Sequence, residues 1–488
     1  MDNSVVSASV PGKVLACGGY AILKRPNRGL VLATTARFTT TVKWCKWDAA
    51  SFGKNADYAH AVVCSPQFDA VYEYLVSRTA DDHYCVKQKD SASERNVYVE
   101  ATLAASLQAA RAASGGAVWE HLSRASKASE ALRLDLLADN DFYSQQARLK
   151  SQGLAFTCEN LRKIPSGASA LDESGSLAKT GLGSSAALIT SMVASMLHFF
   201  ADPEKDQVHR YAQIVHALVQ GKIGSGFDVY AASFGSSIYS RYSPKAIQGA
   251  MASLSTEEPG NGSATRSPPL KPLRECVASD DAWDYCGMPM RLPSKIQLMC
   301  GDVATGSATP SMSRKILAWK ERSDGGMPAL WKELLECNER VISAVAALNE
   351  FCRSDPEAYS RIADACAESP ARSWASADDT VGPGFVSLRK SISDARKCLK
   401  SIGVEAQVPV EPDPQTRLCN DTMEITGVIA CGVPGAGGYD AIFAFVLGDK
   451  ARKNVEAFWS SQSVCPLLLS EERETDGIVI SRGVDEAR

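Results

Sequence analysis

No two of the fifteen cysteines are spaced CxxC, and the six histidines all lie before residue 217 with no HExxH among them. The chain therefore does not offer the paired ligands of a zinc site. Scattered cysteines predict reduced thiols in a reducing compartment rather than a disulfide framework. Nor is there a basic excess: 52 Lys and Arg against 56 Asp and Glu give a formal charge of −4. That excludes a bulk electrostatic footprint for nucleic acid or an anionic membrane, while small local basic sites stay open. The most helix-like apolar stretch, 186–200, is too short and too interrupted by Ser and Thr to cross a bilayer. The opening "MDNSVVSASVPGK" has no basic region ahead of an apolar core, and "VDEAR" at the end carries no lipidation or SKL-type signal. A soluble, cytoplasmic protein is expected. Two further absences concern nucleotides: there is no Walker loop GxxxxGK[ST], and no GxGxxG fingerprint.

What is present is an ordinary globular composition, 45% hydrophobic and 22% charged, in 488 residues. That length exceeds one comfortable core, so two domains are expected. Val, Thr and aromatic residues with two glycine breaks predict strands over 4–44. Helices are predicted at 67–78, 97–113, 186–200 and 205–220, and helical patterns dominate 311–401. The polar stretch 160–180 reads as a loop, and 244–294 as a linker or surface insertion. These give a division into 1–243, 244–294 and 295–488.

Three glycine-rich segments stand out. In "SVPGKVLACGGY" (9–20), Pro-Gly is expected to end a strand and leave Lys13 beyond the bend. In "GLGSSAA" (181–187), glycines precede two serines at a helix start, where free N–H groups and the positive end of the dipole make an anion site. A serine N-cap accounts for one of those serines, but not for the doubled Gly, Ser and Ala together. In "VPGAGGYDAIFAF" (433–445), a hairpin turn and a close backbone approach to a phosphorylated ligand are equally open.

The order PGK, GLGSSAA and a late GAGG loop resembles the GHMP kinase superfamily along nearly the whole chain. Further segments narrow the resemblance to phosphomevalonate kinases of the eukaryotic type: "NDFYSQ" (140–145), "QGKIGSGFDVYAASFGSSIYSRY" (220–242) and "TGSATPSMSRKILAWK" (305–320). "ACGGY" (16–20) stands where mevalonate kinases usually carry Gly-Glu-His. The resemblance implies an α/β fold of two lobes, ribosomal-S5-like then ferredoxin-like. It implies transfer of phosphate from ATP, with Mg²⁺, to (R)-5-phosphomevalonate in isoprenoid and sterol synthesis. Mevalonate or another small acceptor is the alternative within the superfamily, and a non-catalytic nucleotide sensor the alternative outside it. No nucleic acid or membrane partner is implied, and a peroxisome-type organelle is the alternative compartment.

The site residues follow from the same resemblance. Lys13 and Asp228 are expected to be catalytic. Lys179, Thr180, Gly181, Leu182, Gly183, Ser184, Ser185 and Ala186 are expected to hold the nucleotide, with the Ser185 hydroxyl on Mg²⁺. Lys13, Tyr20, Lys222, Ser225, Gly435, Ala436 and Gly437 are expected to face the acceptor. The chemistry qualifies one role. A phosphate monoester has a second pKa near 6, so its attacking oxygen is already largely ionised at neutral pH. Asp228 then need not remove a proton, and positioning Lys13 or the metal is the more economical assignment.

Overall fold

The computed structural model describes residues 4–47, 57–89, 95–172, 175–252, 264–303, 309–322, 326–376 and 382–484. Its strands are β1 (Ser4–Cys17), β2 (Gly29–Lys46), β3 (Ala59–Ser65), β4 (Ala70–Arg78), β5 (Tyr84–Gln88), β6 (Glu130–Ala138) and β7 (Ser237–Ser240). They continue with β8 (Thr265–Arg266), β9 (Cys286–Pro289), β10 (Ile296–Asp302), β11 (Val428–Gly432), β12 (Ala441–Leu447), β13 (Cys465–Pro466) and β14 (Val479–Val484). Among the described residues they form two sheets. The larger has the order β14-β1-β2-β6-β3-β4-β5-β8, with β7 and β9 joined to it through β2; the smaller has the order β11-β12-β10-β13. This is a mixed α/β protein of two lobes.

Helix Ser184–Phe200 is central to the first lobe, packed on β1 and β2 and flanked by helices Val97–Ser114 and Lys205–Gln220. Ile189, Met192, Val193, Met196 and Leu197 are buried at the expected helical spacing. Each such side chain contributes about 1.5–3 kcal/mol. Ala186, Ala187, Ala194 and Ser195 are buried between them, so neighbouring elements close in on nearly every face. The packing fixes where this helix begins, and its N-terminus opens on the cavity described below.

In the second lobe all seven residues of β12 are buried, and its period of two divides the interior. Phe443, Phe445 and Leu447 face the core that continues into the first lobe; Ile442, Ala444 and Val446 face a second cluster around Trp459 and Val455.

The structure differs from the sequence-based reading at four places. The segment expected as a helix at 67–78 is strand β4 after a short 3-10 turn. Tyr72, Tyr74 and Val76 alternate inward while Val71 is 50% exposed, the two-residue period of a strand. Pro11-Gly12 does not end a strand: β1 runs through it, with a register irregularity against β2 between Pro11 and Lys13. In the stretch 244–294, expected as linker or insertion, residues 253–263 lie outside those described, and the rest carries helices Lys245–Ala252 and Leu270–Ala278. It adds β8 and β9 to the large sheet and Leu273, Trp283 and Leu292 to the core. Finally, β14 leaves the second lobe and pairs with β1.

Candidate active site

A cavity of about 370 Å³ lies where the three glycine-rich segments meet. Helix Ser184–Phe200 points its N-terminus at it. The N-cap is Gly183 in the left-handed conformation, φ 78°, so neither serine is the cap and the cap residue has no side chain to occupy the first N–H groups. The serine-cap reading therefore fails, and an anion-accepting helix end remains. A second helix, Phe227–Phe234, also starts at the cavity, capped by Gly226 with φ 79°, and carries Asp228 in its first turn.

Lys13 enters beside the first helix end. Its backbone N–H donates to the Leu182 carbonyl at 3.0 Å, and its Nζ donates to the Gly181 carbonyl at 2.7 Å. Nζ also lies 5.6 Å from the centre of the Phe227 ring. A Cβ on Gly183 would stand 2.9 Å from Lys13 Cε, so the glycine leaves the corridor through which the lysine runs. Burial lowers the Lys13 pKa, and the Asp228 charge opposes that shift. Asp228 lines the same cavity, yet among the described residues no direct ion pair joins the two. Lys179 also lines it, its pKa lowered by burial, and Lys222 supplies a third ammonium from an exposed position.

The third glycine segment is the β11–β12 hairpin connection, as the turn reading expects, and Pro434–Gly437 also line the cavity. It is tied to the first segment: the Gly435 N–H donates to the Leu15 carbonyl at 3.1 Å, and Tyr20 Oη donates to the Ala436 carbonyl at 2.5 Å. A Cβ on Gly19 would lie 2.5 Å from the Gly435 carbonyl oxygen. Close contact of the two loops therefore requires the glycine.

Of the expected site residues, Lys13, Tyr20, Lys179, Gly181, Leu182, Gly183, Ser184, Ser185, Lys222, Ser225, Asp228, Gly435, Ala436 and Gly437 all line the cavity. Thr180 and Ala186 do not. The Thr180 hydroxyl turns away to the Asp141 carbonyl at 2.5 Å, and Ala186 is buried in the core. Gly437 lines the cavity, and a Cβ there would stand 2.0 Å from the Val410 carbonyl oxygen, so its lack of a side chain also serves packing.

The sequence reasoning missed His216, Gln220, Phe227, Ser313 and Asp440, which also line the cavity. His216 and Gln220 share a face of helix Lys205–Gln220 at a spacing of four, just ahead of the GKIGSG turn, and that spacing was the available signal. Burial lowers the His216 pKa, opposed by Asp228 and assisted by Lys222, and its Nε2 is buried without a hydrogen-bond partner. Ser313 lies in the 305–320 segment, whose residues before Thr309 fall outside those described.

Three lysines and two helix N-termini, with the carboxylates of Asp228 and Asp440, on a single cavity suit the joining of two polyanions. The family model for the N-terminal domain of GHMP kinases matches residues 152–236. A phosphomevalonate kinase of Arabidopsis thaliana, named as peroxisomal, is 32% identical over 96% of this chain and 94% of its own length. This chain belongs to the phosphomevalonate kinase family. A phosphomevalonate kinase of Aspergillus fumigatus is 33% identical over 91% of this chain and 88% of its own length. Among solved structures, the Lin0012 protein of Listeria innocua superposes with a TM-score of 0.60 at 16% identity, covering 98% of this chain and 99% of that one. The Streptococcus pneumoniae phosphomevalonate kinase in complex with phosphomevalonate and AMPPNP gives 0.54 at 13% identity, covering 96% and 99%. These two likenesses establish the two-lobed fold. Among the described residues no helix is long and apolar enough to cross a membrane.

Proposed function

We infer that the chain transfers the γ-phosphoryl group of ATP to the phosphate of (R)-5-phosphomevalonate, giving ADP and (R)-5-diphosphomevalonate. The observation that carries this reading is the convergence of Lys13, Lys222, Asp228 and the capless start of helix Ser184–Phe200 on one cavity, in a chain of this family. An oxygen of the acceptor phosphate forms the new bond to the γ-phosphorus. The bond from that phosphorus to the bridging oxygen breaks, and its electron pair leaves with ADP. Lys13 places a point charge beside the moving group, and the helix N–H groups hold the triphosphate. Lys222 offsets the acceptor's charge, while Asp228 orients its surroundings rather than taking a proton.

Magnesium would be brought by ATP, whose phosphate charge it would neutralise. The Ser185 hydroxyl and the Asp228 carboxylate both face the cavity, and among the described residues no three His, Cys, Asp or Glu side chains gather into a resident metal site. That donor set suits an ion held chiefly by phosphate oxygens and water. Ser185→Ala is expected to shift the magnesium titration of the rate to higher concentration; an unchanged titration removes the hydroxyl from the ion. The compartment we propose is the cytoplasm, with a peroxisome-type organelle as the alternative.

ADP release over a panel of acceptors tests the function. Phosphomevalonate is expected to be turned over with kcat/KM at least about 100-fold above mevalonate, the effect of about 2.7 kcal/mol of charge recognition. Preference for mevalonate, or no ADP release with any acceptor, overturns the assignment.

A further inference from the structure

The turn Gly18–Gly19–Tyr20 belongs to the first lobe by sequence, but the second lobe holds it. Asn338, inside the 26-residue helix Ala329–Ser354 and 2% exposed, accepts the Gly18 N–H through Oδ1 at 3.2 Å. The carbonyl of the same residue faces the Cys17 thiol at 3.9 Å, and the next residue, Glu339, pairs with Arg28. Asparagine is a weak helix former, and burying an amide is costly. Its Nδ2 has no hydrogen-bond partner, so only the accepting oxygen is used here. Because Gly18 presents a donor, the atom facing it must be that oxygen.

What Asn338 holds is a turn with little freedom. Gly18 has φ +99°, and a Cβ there would lie 2.6 Å from Gly29 Cα. Tyr20 follows with φ 59°, a conformation that non-glycine residues rarely adopt. Its ring is buried with Met312, Ile316 and Trp331 of the second lobe, and its hydroxyl reaches the Ala436 carbonyl. A strained residue of this kind persists only where its surroundings determine it.

We propose that Asn338 is a positioning residue for the acceptor: by fixing Gly18 it places the Tyr20 ring and the Ala436 wall, and so sets acceptor affinity without touching the acceptor. The proposal rests on reading Tyr20 and residues 435–437 as the acceptor side of the cavity.

The test is calorimetric binding of phosphomevalonate and of AMPPNP, measured separately on Asn338→Leu, Asn338→Asp and Tyr20→Ala. Leucine is close in volume and removes the oxygen; Asn338→Ala replaces it if that variant does not fold. Phosphomevalonate binding is expected to weaken about tenfold or more in Asn338→Leu, the scale of one buried N–H left unpaired, with AMPPNP affinity within about twofold. Asn338→Asp keeps an oxygen facing Gly18 and is expected to restore the acceptor affinity. A lower unfolding midpoint with both affinities unchanged marks a structural role and overturns the inference, even where Tyr20→Ala loses the acceptor and the underlying reading stands. If Tyr20→Ala binds phosphomevalonate normally, the acceptor-side reading itself fails. Loss of AMPPNP binding alone assigns the turn to the nucleotide and overturns the proposal.

Discussion

Lys13 Nζ gives its hydrogen bond to the carbonyl of Gly181, at 2.7 Å, and the alkyl part of Lys13 passes where a side chain on Gly183 would be. The glycines of the GLGSSAA loop thus hold the lysine as well as baring the helix end. Lys13→Met is expected to lower kcat at least about 100-fold with the fold kept, because a charge aimed at the transferring group is worth roughly 3 kcal/mol. Gly183→Ala is expected to lower kcat although Lys13 itself is unchanged in sequence, since the added methyl group displaces the lysine side chain. Backbone strain at φ 78° costs that variant about 1–2 kcal/mol of stability as well. Steady-state kinetics beside thermal unfolding checks both. Wild-type kcat in a folded Lys13→Met protein returns the lysine to a plain turn.

The meeting of the three loops was implied only by the family resemblance, whereas the GLGSSAA helix start and the helix after it were legible because small residues and a helical period each have one dominant physical cause. Two kinds of information were not. Thr180 and Ala186 belong to the right loop, but which way each faces depends on Asp141 and on the core, both distant in sequence. Strand β4 was misread because Tyr72, Tyr74 and Val76 need the neighbouring strands β3 and β5 to reveal their inward face. On either side of residues 253–263, the polar, Pro- and Ser-containing composition hid the short helices Lys245–Ala252 and Leu270–Ala278.

The two outer glycines of the 435–437 loop separate packing from ligand approach. A Cβ on Gly437 would meet the Val410 carbonyl oxygen at 2.0 Å, whereas one on Gly435 meets nothing within 4 Å. Both have positive φ, 74° and 66°, so the backbone strain of an alanine is shared and cancels in the comparison. Gly437→Ala is expected to lower the unfolding midpoint much more than Gly435→Ala does. Gly435→Ala is expected to weaken binding of phosphate-bearing ligands while remaining folded. Equal midpoints for the two variants would remove the Val410 contact as the reason for Gly437.

Asp141 gives a pH dependence of stability. Burial raises its pKa from 3.8 to about 6, against the Leu468 N–H that its Oδ1 accepts at 2.9 Å. The folded state therefore holds the proton more tightly than the unfolded chain does. The penalty for ionisation is absent below about pH 4, grows as pH rises, and is complete above about pH 6. Asp141→Asn keeps an oxygen for Leu468 and removes the penalty. It is expected to stabilise the protein by up to about 3 kcal/mol at pH 7.5 and about half as much at pH 5. Urea unfolding at both values checks it. A gain independent of pH would assign the effect to packing instead.

The role of Asp228 can be decided by the origin of the acidic limb of the rate. Asp228 faces the cavity from the first turn of its helix and makes no direct ion pair with Lys13 among the described residues, so it acts on its surroundings through its charge. If the acceptor phosphate is its own nucleophile, the rate follows the second ionisation of that phosphate, and kcat/KM falls below about pH 6. Asp228→Asn should then lower the rate at every pH and leave the limb in place, because the titrating group belongs to the substrate. A general base predicts otherwise: without the carboxylate the limb moves or vanishes, and alkaline pH restores part of the rate. Profiles of kcat/KM against pH for the two proteins separate these outcomes. A limb that disappears with the carboxylate restores Asp228 as the base and ends the positioning assignment.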